Sequence, residues 1–358
     1  SNGIFAYEVD ADSIDEITAL GFETGYFKAL DLYALVLLPT TVTDAEIAGV
    51  IKYLEREKGA TRNPTGDLTS YFYDRTDLVT PKFDAIDFGG VTGNLNTFQR
   101  CDSLVSFPSI NMAGLNALAY SFYNSVSLAS FAAPTNTSGL TSLLSAFQGC
   151  SSLTSMPVFD TSNVTDFRST WFGCGLTSFA ADFDVSAGTN FDHAWYNNDF
   201  ISFPDLTYKD SGAVEFDNAW NNCLNLLTFP ASDLSTGTNF YRSWLNCTSL
   251  ASFPSGITFS TDPSDALNFS EAWKSCTSLE EFPALDLSGG TNFLGAWNGC
   301  TSLTSFLATG LVSSWDFYIT WSGCTSLVTF PAIPLTGGQR FQSAWQNCTA
   351  MTSFLATD

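Results

Sequence analysis

The chain has 358 residues, 45% of them hydrophobic and only 14% charged, which is ample material for a core and unlike a disordered tail. Its 36 Asp+Glu against 13 Lys+Arg give a formal net charge of -23, which argues against nucleic acid and against docking on anionic lipid, since both need clustered basic groups. No apolar run reaches the roughly 18 residues that a membrane span requires.

Ser1, Asn2 and Gly3 open the chain with neither a Met nor a signal-peptide pattern, as expected of a processed product or a piece of something longer. Tyr33 to Pro39 then reads as a buried strand. Thr43 and Glu46 form a capping-box pattern, and Ile47, Val50, Ile51 and Leu54 come next at helical spacing until Gly59. The expected element is a helix over 44–58, in a small N-terminal α/β cap over 1–64 that covers the near end of the downstream region. Leu68, Phe72, Arg75, Leu78 and Pro81 then resemble a degenerate copy of a motif that recurs along that region.

That motif is set out by nine cysteines: Cys101, Cys150, Cys174, Cys223, Cys247, Cys276, Cys300, Cys324 and Cys348. Their gaps are 49, 24, 49, 24, 29, 24, 24 and 24, and the two gaps of 49 are doubled periods with Ser125 and Asn198 in the cysteine place. The gap of 29 is one unit with an insertion near Ser260 to Ala266. A fixed period of this length means stacked repeats, here about 11–12 of ~24 residues over 65–358. Each copy reads F-x-x-A-W-x-N-C-x-S-L-x-x-F-P and then a polar stretch. The aromatic pair, as in Phe293 and Trp297, is four residues apart, which predicts one face of a helical turn. Asn222, Asn246, Gly299 and Gly323 precede the cysteine and suit the left-handed conformation that ends such a turn. The S-L-x-x-F segment predicts a strand of three or four residues, and the Asp/Ser/Thr/Gly stretch a return loop. No single copy can bury its aromatics, but stacked copies can, at about 4.8 Å per copy. The array reaches Phe354 without a polar cap, so the expectation there is further repeats or cover by another chain.

The cysteine column admits three readings. Zinc needs closely spaced ligand pairs, and the sole histidine is His193; a disulfide framework prefers an even count. Buried free thiols donating weakly to backbone is the reading that fits the spacing, with no metal and no cofactor. For catalysis, Asp160, Asp205, Asp233 and Asp286 lie in neighbouring loops, where Asx turns account for them equally well. No catalytic residue is assigned. The periodic aromatics are core. Those that break the columns, Tyr196, Tyr208, Tyr241, Trp315 and Tyr318, are the candidate ligand contacts, with Glu280 and Glu281 on an otherwise Ser/Thr strand face.

The units, together with the run Asp160 to Phe167 (D-T-S-N-V-T-D-F), resemble the BspA-like leucine-rich-repeat group over about Leu68 to Asp358. Such repeats occur in bacterial and mycoplasma surface proteins and in bacteriophage tail proteins. Leu20 to Gly59 is similar to the last strand and trailing helix of concanavalin-like jelly-roll domains of phage tails. These resemblances imply a leucine-rich-repeat-like α/β solenoid in a non-enzymatic phage tail or fibre protein, located on the virion. The implied partners are a host surface glycan or protein, other tail proteins and further copies of the chain in a homo-oligomer, with no nucleic acid and no membrane insertion. A bacterial cell-surface adhesin is the alternative, and a polysaccharide-degrading enzyme a third.

Overall fold

The computed structural model describes residues 90–356 without interruption, preceded by the strands Gly3–Glu8, Tyr33–Leu38 and Thr65–Gly66 and the single residue Asp74. The expected strand at Tyr33 is present and pairs antiparallel with Gly3–Glu8. The helix over 44–58 and Leu68, Phe72, Arg75, Leu78 and Pro81 lie outside the described residues. One more coil below Cys101 is nevertheless marked by its backbone. Thr65–Gly66 pairs parallel with Gly90–Val91, and Asp74, the neighbour of Arg75, donates to the Gln99 carbonyl at 2.9 Å.

Residues 90–356 form a parallel β-solenoid of about eleven coils of ~24 residues. Three short parallel ladders run along it. One lies just after the cysteines, as in Glu281–Phe282 with Ser305–Phe306 and Thr329–Phe330 with Ser353–Phe354. A second precedes the aromatic segment and links Val214–Glu215, Gly237–Asn239, Leu267–Asn268 and Gly290–Asn292. The third passes through the return segment, as in Asp233–Leu234 with Thr258–Phe259. The expected strand is therefore present but only two residues long, and the expected return loop carries two ladders of its own. The insertion forms a 3-10 turn, Pro263–Asp265, whose first N–H groups are capped by Asp262; its carboxylate accepts from the Ser264 N–H at 2.8 Å.

The expected helical turn is not there: the described residues contain no α-helix. In all eleven coils the residue five before the cysteine position and the residue one before it have positive φ, for example Gly295 (58°) with Gly299 (76°) and Arg242 (58°) with Asn246 (60°). The second of these agrees with the sequence reading; the first breaks any right-handed helix. It also turns alternate N–H groups along the solenoid. Phe293, Gly295, Trp297 and Gly299 donate to Asp316, Tyr318, Thr320 and Ser322 of the next coil at 2.8–3.1 Å. Ala296, Asn298 and Cys300 donate back to Phe293, Gly295 and Trp297 within the coil at 3.0–3.2 Å. The remaining N–H, of Leu294, is taken by the Asn292 side chain at 3.0 Å. Every backbone donor of the segment is thus satisfied, half of them between coils.

The core follows the columns. Eight tryptophans, Trp171 to Trp345, stack with centroids 5.2–5.8 Å apart. Phe98, Phe122 and Phe147 fill the same column in earlier coils and stack on one another at 5.3–5.5 Å. The strand phenylalanines meet the tryptophans edge to face, as Phe282 does Trp297 at 4.9 Å and 77°. Each indole N–H of the column is buried without a hydrogen-bond partner. Every cysteine is a free thiol, and from Cys150 onward each donates to the carbonyl of the aromatic residue one coil back, as Cys300 does to Trp273 at 3.1 Å. The substitutes keep that bond: Ser125 Oγ reaches the Phe98 carbonyl at 2.7 Å and Asn198 Nδ2 the Trp171 carbonyl at 2.8 Å. The column selects a short buried donor rather than sulfur as such.

Trp297→Ala is expected to lower stability by about 3–5 kcal/mol through the cavity it leaves. Trp297→Phe, which repeats Phe147 and removes an unpaired N–H, is expected to cost less than about 1.5 kcal/mol. Urea unfolding of both variants checks the order; equal losses would mean the indole is held by something other than shape. Burial also raises the thiol pKa values, to about 12 at Cys223 and Cys276, and less at the half-buried Cys348. A thiol reagent at pH 8 is therefore expected to modify Cys348 first and the buried column only on unfolding, read by peptide mapping.

Candidate functional site

The backbone pattern of the aromatic segment leaves four outward positions in each coil: six, five, two and one before the cysteine. Side chains there line up along one face of the solenoid, the turn face. Between the coils of Cys101 and Cys276 this face carries aromatic, acidic, basic and amide side chains. Tyr123, Phe172 and Tyr196 share the column two before the cysteine position. The Phe172 and Tyr196 rings stack at 4.4 Å and 4°. The Asn222 amide donates to the Tyr196 hydroxyl at 2.6 Å. Tyr120 meets Tyr123 edge to face at 6.0 Å.

Beside this aromatic row lies a charged one. Arg168 grips Asp166 through two bonds of 2.9 and 2.8 Å. His193 Nδ1 contacts the carboxylate of its neighbour Asp192. One coil on, burial pushes the Asp217 carboxyl up to about 6, and the negative charge of Asp192 adds to the rise. His193 and the Asn218 amide, which donates to Asp217 at 2.6 Å, pull in the opposite direction. Farther along, Glu271 is held by Arg242 at 2.6 Å and Lys274 at 2.8 Å. Burial would raise its pKa, but the two hydrogen bonds outweigh burial and leave it below the ordinary value.

The seven sequence candidates fall in different places. Tyr196, Tyr241 and Tyr318 are on the turn face, half-buried. Tyr241 lies under the Arg242 guanidinium at 4.6 Å and Tyr318 under that of Arg340 at 5.1 Å. Arg340 in turn bonds Asp316 at 2.5 Å. Trp315 is 45% exposed on the adjoining ladder, three residues before Tyr318. Glu280 and Glu281 are exposed on the strand ladder, away from the tyrosines. Tyr208 is a correction: it is core. Its ring packs edge to face between Phe191 and Phe216 at 5.5 and 5.1 Å, and burial raises its hydroxyl pKa well above the usual value. It stands outside the aromatic columns yet packs into the core beside them rather than facing solvent. Sequence reading missed Phe172 and Tyr123, which share a column with Tyr196, and the Asp192–His193–Asp217 group; the shared column was the available signal.

Three of the four loop acids are held by the backbone, and Asp205 instead accepts from the Ser232 hydroxyl at 2.8 Å. Asp160, Asp233 and Asp286 each accept the N–H two residues on, at 3.0–3.1 Å. Asp160 and Asp233 have lowered pKa values, through the Ser162 and Thr258 hydroxyls first. Stable carboxylates in Asx turns are poor proton donors. Among the described residues no group of three or more His, Cys, Asp or Glu is placed to hold a metal ion. No helix of the described residues is long and apolar enough to cross a membrane.

No family model matches the sequence, and no curated protein matches it. Among solved structures it is similar to a leucine-rich repeat protein from Bacteroides ovatus, at 17% identity and a TM-score of 0.37. That match covers 76% of this chain and 77% of the other.

Asp217 gives a pH prediction with a definite sign. Its folded pKa is above its unfolded one, so the ionised group disfavours the fold, and stability is lost as pH rises from about 4 through about 6. Asp217→Asn is expected to raise Tm at pH 7.5, with the gain fading below pH 4. A gain that persists at pH 3.5 would place its cause in packing.

Proposed function

We propose that the chain is a non-enzymatic attachment protein whose turn face binds a glycan of a host cell surface. The reading is supported by one observation above the rest: the half-buried Phe172 and Tyr196 rings stacked beside Asp192, His193 and Asn222, with Tyr123 in the same column two coils before Phe172. Sugar rings are recognised by packing their C–H groups on aromatic carbon while carboxylate and amide atoms take the hydroxyls. A solenoid suits this use because successive coils repeat the same contacts at a fixed spacing, as a polymer of repeating units does. The neutral-to-acidic character of the face favours neutral or amino sugars over sulfated or phosphorylated ones.

The setting we assign is a bacteriophage tail or fibre, on the resemblance of the F-x-x-A-W-x-N-C-x-S-L-x-x-F-P units. Glu280, Glu281 and Trp315, on other ladders, then have no part in the glycan contact. Among the described residues the Asp192–His193–Asp217 group is the one place where a hydrolase reading has material, since it joins a histidine to an acid of raised pKa.

Titration of the purified chain onto immobilised capsular and cell-wall polysaccharides, with release of reducing ends followed in parallel, decides among these. Binding that falls at least tenfold in Tyr196→Ala and Phe172→Ala, with Tm held and no sugar released, is the expected result. Sugar release lost in Asp217→Asn would replace the attachment reading by an enzymatic one. Binding indifferent to both aromatic variants would move the site off this face.

A further inference from the structure

The four outward columns of the turn face form two pairs of different character. The pair six and five before the cysteine carries the titratable side chains Arg168, Asp192, His193, Asp217, Arg242 and Glu271. The pair two and one before it carries none from the coil of Ser125 to that of Cys247. From Tyr123 to Asn246 these two columns hold only rings, amides, glycines and Leu245. Arg100 stands one coil before this strip and Lys274 one coil after it. In a chain of net charge -23, six successive coils without a charge in either column make a distinct surface. The strip also keeps its register. The same two positions have positive φ in each of these coils, and the insertion at 260–266 lies in a return segment beyond it. Five coil steps at ~4.8 Å give it a length of about 24 Å.

Its two halves differ in chemistry. The first offers aromatic carbon, at Tyr123 and at the stacked Phe172 and Tyr196. Beside Phe172 the floor is open, since a Cβ placed on Gly173 would meet nothing within 4 Å. The second half is a row of amides that runs along the axis. Asn246 Nδ2 donates to Asn222 Oδ1 at 2.8 Å, and Asn222 Nδ2 donates to the Tyr196 hydroxyl at 2.6 Å. The Tyr196 oxygen is thereby already an acceptor, which leaves its O–H to donate outward. Asn221, 4% exposed, donates to Asn218 at 2.7 Å, and its own oxygen has no hydrogen-bond partner among the described residues. Rings at one end and amides with unspent capacity at the other suit a ligand that is hydroxylated, uncharged and long.

We infer that the turn face binds an uncharged polysaccharide laid along this strip, parallel to the solenoid axis, and grips the interior of the chain over about five sugar units. This rests on the glycan reading above and adds the ligand's charge, length and direction to it. An extended hexose chain advances by about one ring per unit, on the order of the ~4.8 Å coil spacing, so successive units meet successive coils. A single terminal sugar would meet Phe172 and Tyr196 alone. Tyr123 lies two coils before Phe172 and Asn246 two coils after Tyr196, each about 10 Å away at that spacing, and only a longer chain reaches both. Anionic polymers fit badly. The cations beside the strip are already bound to acids, Arg168 to Asp166 and both Arg242 and Lys274 to Glu271, while Asp192 and Asp217 flank its centre.

Calorimetric titration of the 358-residue chain with size-graded oligosaccharides cut from neutral glucan, mannan, xylan and chitin tests it. For the polymer that binds, affinity is expected to rise roughly tenfold from about three units to about six and then to level off. Two variants probe the ends with residues that other coils already carry in the same columns: Tyr123→Gln repeats Gln148, and Asn246→Gly repeats Gly299. Each is expected to weaken the six-unit chain about fivefold and to leave the three-unit chain within about twofold, with Tm held. Equal affinity for three and six units overturns the inference and leaves the glycan reading standing. So does an equal loss for both lengths in the end variants, or tighter binding of an oligogalacturonate ladder than of any neutral one. Failure of every saccharide to bind overturns the glycan reading together with the inference.

Discussion

The structure depends on a single repeated constraint: one coil must supply, at about 4.8 Å along the axis, both a hydrogen-bond acceptor and a ring for the coil beside it. Backbone and side chains answer that constraint together. Four N–H groups per coil reach the next coil only because two residues adopt left-handed φ, a conformation that costs an L-residue about 1–2 kcal/mol. Four net hydrogen bonds at about 0.5–1.5 kcal/mol each, with stacked aromatics adding about 0.5–1.5 kcal/mol per pair, outweigh that cost. Glycine and asparagine lower it at the position before the cysteine, as at Gly299 and Asn246. The position five before shows no such preference: Glu271, His193, Arg242 and even the β-branched Ile319 are held there at φ 50–58°. The stack imposes the conformation and leaves the side chain's chemistry open.

That division explains what was legible in the sequence. Period, number of coils, the insertion at 260–266, the core columns and the free-thiol column all come from counting, because a column that touches its own copies above and below admits few residue types. The helical turn is the exception. Aromatic residues four apart are equally consistent with one helical turn and with two left-handed residues that return the chain to the same face. Within a single coil nothing separates them; the difference lies in where the N–H groups go, and that is decided by the neighbouring coil. The ladders of the return segment were hidden similarly, since Asn292, Asn268 and Asn239 read as loop residues yet cap the turn after each ladder at 3.0–3.2 Å.

The site was less legible than the core for a related reason. Outward positions carry no periodic signal when a few coils differ from the rest, so Tyr196 stood out while its column partners Phe172 and Tyr123 did not. Departure from a column is also an ambiguous sign. Tyr318 departs from it to lie half-buried on the turn face under Arg340, whereas Tyr208 departs from it and packs in the core against Phe191 and Phe216.

The same one-way bonding governs what the turn face can carry. Along the sides, each coil's bonds are closed by its neighbours, so the turn face is free to vary and can carry recognition chemistry without loss of stability. Outward side chains are thereby left to vary, while the backbone and the core rings are fixed by the coils on either side.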